Sequence, residues 1–200
     1  MKKIRKLEPK IWILCEWETE ECYFSVIKNK KILWKNISIH KIWQISWISK
    51  NKLKNIRKKV NYSDKDLKNT NSKVFILLDI DWNKKESYSQ DNIDFIKNNL
   101  ENENIKVLFS NKDFEIWILL HLQDCIKENV DYIKIIREHK NWEKKYKKWN
   151  NNCNIRFFQK IIDNYLNDAV ERAKILEQRY IKRKLKQKIP YTEIYKIFFN

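Results

Sequence analysis

The chain of 200 residues contains no glycine, where average usage would supply about 14. Glycine takes positive φ at little cost and lets a backbone approach a ligand closely. Without it the chain cannot build a Gly-rich P-loop. Two explanations compete. The nine tryptophans are real residues, or some of them stand where a reassigned glycine codon was read as tryptophan. Cysteine is also sparse. Cys15, Cys22, Cys125 and Cys153 form no C-x-x-C pair, and His40, His121 and His139 are scattered. That spacing argues against a zinc knuckle and against a disulfide framework. The four cysteines read as reduced thiols that behave as small hydrophobes. No apolar run approaches the length that spans a bilayer. The run Ile11–Cys15 is too short for a secretory core, and Glu16, Glu18 and Glu20 follow at once. The expectation is a soluble, cytoplasmic protein without a membrane partner.

What is abundant is positive charge. The net charge of +17 points to a polyanionic partner. The richness in Lys, Asn and Ile offers a competing cause, a compositional drift that makes Lys a default surface residue. Two basic groups stand out. Lys50, Lys52, Lys54, Arg57, Lys58 and Lys59 fall on one predicted helix. Lys140, Lys144, Lys145, Lys147 and Lys148 interleave with Trp142, Tyr146 and Trp149, a pattern suited to single strands or to a solvated face over packed aromatics.

Hydrophobic periodicity predicts strands at Ile11–Cys15, around Ile37–Ile42, at Val74–Leu78 and at Ile105–Phe109. Between them, helices are expected over 19–28, 50–60 and 91–100, with a helix buried on all sides over 114–122. Alternating strands and helices specify an α/β fold, a mainly parallel sheet with helices on both faces. Beyond it, helices are expected over 132–137 and 157–180, with a basic hinge at 182–188 and a short final helix after Pro190. The organisation reads as a core at 1–125 and a helical extension at 126–200 packed on the same domain.

Ligands of parallel sheets bind at the carboxyl ends of strands. Glu16 ends the first predicted strand, and Asp79 and Asp81 end the strongest one. Residues two apart in an extended stretch share a side, so three carboxylates are placed to hold a hard divalent cation. Mg²⁺ is expected, with Mn²⁺ as a substitute. Ser110, Asn111, Asp113 and Glu115 follow the last strand and are placed to complete the site. Clustered carboxylates repel unless a cation or proton relieves them.

These stretches resemble the RloB-like family. The resemblance rests on Cys15-Glu16-Trp17-Glu18-Thr19-Glu20 followed by Tyr23-Phe24, and on Leu78-Asp79-Ile80-Asp81. It continues over Ser110-Asn111-Lys112-Asp113-Phe114-Glu115-Ile116-Trp117-Ile118-Leu119-Leu120-His121. Ala169–Lys174 and Pro190–Tyr195 extend it to the far end. It implies a Toprim-like fold and a Mg²⁺-dependent nuclease activity in bacterial defence against phage or other foreign DNA. By resemblance to such nucleases, one alternative is an effector that a partner ATPase regulates and that is silent alone. Glu16 matches an acidic residue that serves as general acid/base or metal ligand, Asp79 and Asp81 the metal pair, and Glu115 a further site carboxylate. Asn111 matches an Asn that orients a phosphate or ligand. The rival reading is a non-catalytic nucleic-acid-binding module. Two departures stand out: Lys112 replaces a Pro, and Trp17 replaces the Gly beside the site Glu. Trp43 and Trp47 also fall where relatives carry a Gly-rich turn, whereas Trp117 matches a Trp of the family. That pattern favours misread codons for several tryptophans. His121 reads as a core or capping histidine.

Overall fold

A computed structural model of the chain describes residues 9–33, 36–42, 71–80, 90–111, 113–123, 132–138, 155–182 and 190–199. Its elements are β1 (Ile11–Cys15), α1 (Glu18–Asn29), β2 (Ile37–Lys41), β3 (Lys73–Ile80), α2 (Gln90–Leu100) and β4 (Ile105–Asn111). There follow α3 (Glu115–Leu122), α4 (Tyr132–Glu138), α5 (Ile155–Lys182), β5 (Tyr191–Thr192) and a 3₁₀ helix (Ile194–Phe199). The sheet order is β2-β1-β3-β4-β5. The first four strands are parallel, and β5 pairs antiparallel with β4.

Strand alternation explains the two cores. Ile11, Ile13, Phe75, Leu77 and Leu108 face one side, where α1, α3, α4, α5 and the 3₁₀ helix cover them. Leu14, Ile76, Leu78, Ile80 and Val107 face the other and pack against Ile93, Ile96 and Leu100 of α2. A strand buried on both faces reads as a continuous apolar run, which is why β3 was the plainest strand in the sequence. The periodic face of α5 carries Phe158, Ile161, Ile162, Ala169, Ala173 and Leu176, all buried. The α/β architecture with helices on both faces is thus the one expected.

Several boundaries differ from the sequence reading. β3 and β4 each run two residues further than their apolar runs, so Asp79, Ser110 and Asn111 lie within strands. Hydrogen-bonded pairing continues where the apolar signal stops. The tail is not purely helical: Tyr191 and Thr192 close the sheet edge, and the final helix is 3₁₀. Cys22 is disulfide-bonded, against the expectation of four reduced thiols, while Cys15 is free and buried. Spacing along a chain does not reveal which cysteines the fold brings together. The predicted helix over 50–60 and the second basic group, with its three aromatics, lie outside the described residues.

Positive φ is needed at two described positions, Lys31 (54°) and Asn71 (50°). Asn tolerates this region, but Lys31 bears the Cβ penalty. Lys31→Gly is expected to raise the unfolding free energy by about 1 kcal/mol, read from urea melts.

One polar pair sits inside the larger core. The rings of Phe24, Phe114, Trp117, His121 and Phe158 surround Tyr23 edge-on. The His121 Nδ1 proton is donated to the Trp117 carbonyl at 2.9 Å, so Nε2 accepts from the Tyr23 hydroxyl at 3.1 Å. Burial, with a smaller push from Arg172, lowers the His121 pKa to about 4. The unfolded imidazole takes its proton near pH 6.5. His121 therefore favours the fold fully above about pH 6.5 and loses that contribution as pH falls towards 4, on the order of 3 kcal/mol in all. Urea melts between pH 7 and 4 should show this loss, and His121→Gln should flatten it.

Candidate metal centre

The strand order places β1 and β3 side by side, with their following helices on opposite sheet faces. That is a topological switch point, where parallel sheets leave a crevice at the strand carboxyl ends. Glu16 and Asp79 stand at this crevice. Glu16 is 5% exposed, and its Oε2 accepts from the Asp79 backbone N–H at 3.4 Å. Asp79 continues the Phe75–Leu77 alternation and so lies on the face of α1 and α3. The residue is half-buried, but its Oδ1 is fully buried and without a hydrogen-bond partner. Such an atom is costly unless a ligand or cation engages it.

Glu20 and Glu115, 1% and 2% exposed, add their charges. Glu115 opens α3, where a helix N-terminus favours an anion. Glu20 was missed as a site residue. Its Oε2 accepts from the backbone N–H of Glu16 at 2.6 Å and of Trp17 at 3.1 Å. The carboxylate thereby pins the β1–α1 turn that carries Glu16. The available signal was its place at the third position of α1, where a Glu reaches back to the N-cap amide.

The carboxylates act on one another. Burial above all, then Glu20, Asp113, Glu16 and Glu115, pushes the Asp79 carboxyl well above the usual range. Burial and then Glu16 raise Glu20, although its two backbone hydrogen bonds oppose the shift. Burial, Glu20 and Glu21 raise the Cys15 thiol. Five carboxylates thus share one poorly solvated region.

Not every expected residue converges there. Asn111, 2% exposed, pairs with Ile80 and follows the opposite alternation from Asp79. Ser110 instead pairs with Asp79, and its Oγ lies 3.0 Å from Thr192 Oγ1 of β5. Asp81 and the basic residues Lys50, Lys52, Lys54, Arg57 and Lys58 lie outside the described residues. Among the described residues, no three His, Cys, Asp or Glu side chains already form a group that could hold a metal ion. Mg²⁺ commonly takes one or two carboxylates and completes its shell with water. Glu16 and the unpartnered Asp79 Oδ1 fit that donor set.

Trp17, in the place where the resemblance has Gly, is the N-cap of α1 with φ −123° and ψ 162°. This is extended backbone open to any residue. The turn itself does not demand glycine there; what the indole changes is the space next to Glu16.

Among the described residues, no helix is long and apolar enough to cross a membrane. Neither the curated proteins nor the solved structures contain a match to the chain. The family model described as RloB-like protein matches residues 11–198, nearly the whole sequence, and the chain belongs to the RloB-like family.

Proposed function

We propose that the protein is a divalent-metal-dependent, Toprim-type nuclease that cleaves phosphodiester bonds of nucleic acid. The observation that carries this reading is the Asp79 carboxylate, held against Glu16 at the β1–β3 switch point with Oδ1 buried and unpartnered. The parallel order β2-β1-β3-β4, with acidic residues at the ends of β1 and β3, supports the Toprim-type assignment. Glu16, Asp79 and Asp81 would hold Mg²⁺, or Mn²⁺ in its place. The ion supplies Lewis-acid polarisation of a phosphoryl oxygen. Glu20 fixes the Glu16 turn through two backbone N–H groups. Glu16 and Glu115 are the groups placed to hold or move a proton.

Charge distribution supports a nucleic-acid substrate. The described residues contain 17 Lys and Arg against 17 Asp and Glu, so the excess of +17 belongs to the remaining segments. One such segment, 43–70, follows Ile42, whose N–H donates to the Cys15 carbonyl beside Glu16. It contains Lys50, Lys52, Lys54, Arg57 and Lys58, which would hold phosphates of the substrate. The resemblance adds a role in defence against phage or foreign DNA, and an effector silent without a partner ATPase is a further alternative.

The test is cleavage of DNA and RNA panels by the purified chain with Mg²⁺, against EDTA and Glu115→Gln. Cleavage by the wild type alone, dependent on Mg²⁺, supports the reading. The alternative is a non-catalytic nucleic-acid-binding module. Binding without cleavage, with or without co-purified ATPase, would establish that alternative.

Trp17 gives a further prediction. Glycine is a competent N-cap and removes the indole beside Glu16. Trp17→Gly should strengthen Mn²⁺ binding several-fold in a calorimetric titration, with melting temperature nearly unchanged. Peptides from the native organism should carry Gly at position 17.

A further inference from the structure

Away from the carboxylates, a cavity of about 740 Å³ opens beside the outer edge of β4. Val107 and Leu108 form part of its floor, in the amino-terminal half of the strand. The last turn of α2, the carboxyl-terminal third of α5 and the 3₁₀ helix wall it.

Its carboxylates are already committed. Glu101 Oε1 accepts from the Val107 N–H at 2.9 Å. Glu193 accepts from the Phe109 N–H at 3.0 Å, from Lys97 and from Lys196. Glu177 accepts from Lys196 and from the Tyr195 hydroxyl. These groups close the sheet edge against a further strand, and they leave the cavity few acceptors to offer. Donors remain. Each of the four lysines lining it, Lys97, Lys106, Lys174 and Lys196, carries three N–H groups. Lys106 is exposed and makes no ion pair among the described residues. Lys174 pairs with Glu171 and stands 4.3 Å over the Phe199 ring. That ring is 60% exposed and lines the cavity.

A donor-rich cavity with an open aromatic wall fits an acceptor-rich anion joined to a flat ring, and its volume is in the usual range for small-molecule sites. We propose that it binds a nucleoside phosphate, with the phosphate at Lys106 and its neighbouring ammonium groups and the base on Phe199. The ligand is either a free nucleotide or the phosphorylated end of a strand, and both present the same chemistry. The inference does not depend on the metal-centre reading, because the cavity and the strand ends share none of the groups invoked.

Calorimetric titration of the full chain with AMP, ADP and pyrophosphate, in EDTA, tests it. Saturable binding with a dissociation constant between about 10 µM and 1 mM is expected. Lys106→Glu should weaken all three ligands by about tenfold. Phe199→Ala should weaken AMP and ADP but leave pyrophosphate unchanged. Asp79→Asn should change nothing. A 5′-phosphorylated oligonucleotide that displaces AMP identifies the strand end as the source, and failure to displace identifies the free nucleotide. No saturable binding at millimolar ligand would overturn the proposal. So would binding that Asp79→Asn abolishes, or binding that neither Lys106→Glu nor Phe199→Ala alters.

Discussion

Asp79→Asn should do two opposite things: abolish Mg²⁺-dependent cleavage and stabilise the metal-free protein. The loss of activity is expected to be about a thousandfold, equal to about 4 kcal/mol of transition-state stabilisation. The gain in stability follows from electrostatics. Burial and four neighbouring carboxylates raise the Asp79 pKa in the fold. A group raised in this way favours the fold below its unfolded pKa, and the benefit is lost as pH rises through the folded value. At neutral pH, above the unfolded pKa, the metal-free fold has lost stability to the buried Asp79 carboxyl. Asn removes the charge, and its amide can donate to a neighbouring carboxylate. Metal-free Asp79→Asn should therefore unfold with about 1–3 kcal/mol more free energy than the wild type in urea. Added Mg²⁺ should raise the wild-type melting temperature, because a ligand that binds only the fold stabilises it, and should leave the variant unmoved. A destabilised, inactive variant would mean that Asp79 is structural.

Glu193→Ala should be the most destabilising single change in the C-terminal part. Glu193 is buried between α2, β4 and the 3₁₀ helix. It takes hydrogen bonds from Lys97 at 3.0 and 3.2 Å, Lys196 at 2.8 Å and the Phe109 amide at 3.0 Å. Truncation strips the Phe109 N–H of its acceptor and leaves Lys97 without its carboxylate. Removing one partner of a buried pair costs about 3–5 kcal/mol. Glu193→Gln keeps an acceptor for Phe109 and should cost less. Burial tends to raise the Glu193 pKa, but Lys97, Lys196 and the Phe109 hydrogen bond outweigh it and hold the carboxyl below its ordinary value. Its contribution is present above the unfolded carboxylate pKa and is lost as pH falls through the folded one. Urea melts of the three proteins from pH 7 down through the folded Glu193 pKa would separate these effects, with the wild type converging on Glu193→Gln only at the acid end.

The legible parts of the sequence were those where burial writes a pattern. β1, β3 and β4 are apolar runs, α3 is apolar on all sides, and α5 repeats every three to four residues. Their ends were less legible, since pairing carries β3 through Asp79 and β4 through Asn111 after the runs stop. That difference changed the site. Asn111 falls on the opposite alternation from Asp79, and Ser110 takes the place beside it. β5 has two residues and no periodicity to read; the backbone pairing of Ser110 with Thr192 creates it. Glu20 looked like one acid among several on a helix, and only the fold turns its side chain back to the amides of Glu16 and Trp17. Glu16, Asp79 and Glu115, by contrast, were named from strand ends and from the family resemblance, and the fold brings their charges together.

The central claim is that these carboxylates form a divalent-metal centre. A Mn²⁺ titration of the purified full chain, followed by electron paramagnetic resonance, tests it most directly. Saturable binding that Asp79→Asn and Glu16→Gln each abolish is the predicted result. Binding that is not saturable, or that persists unchanged in both variants, would contradict it.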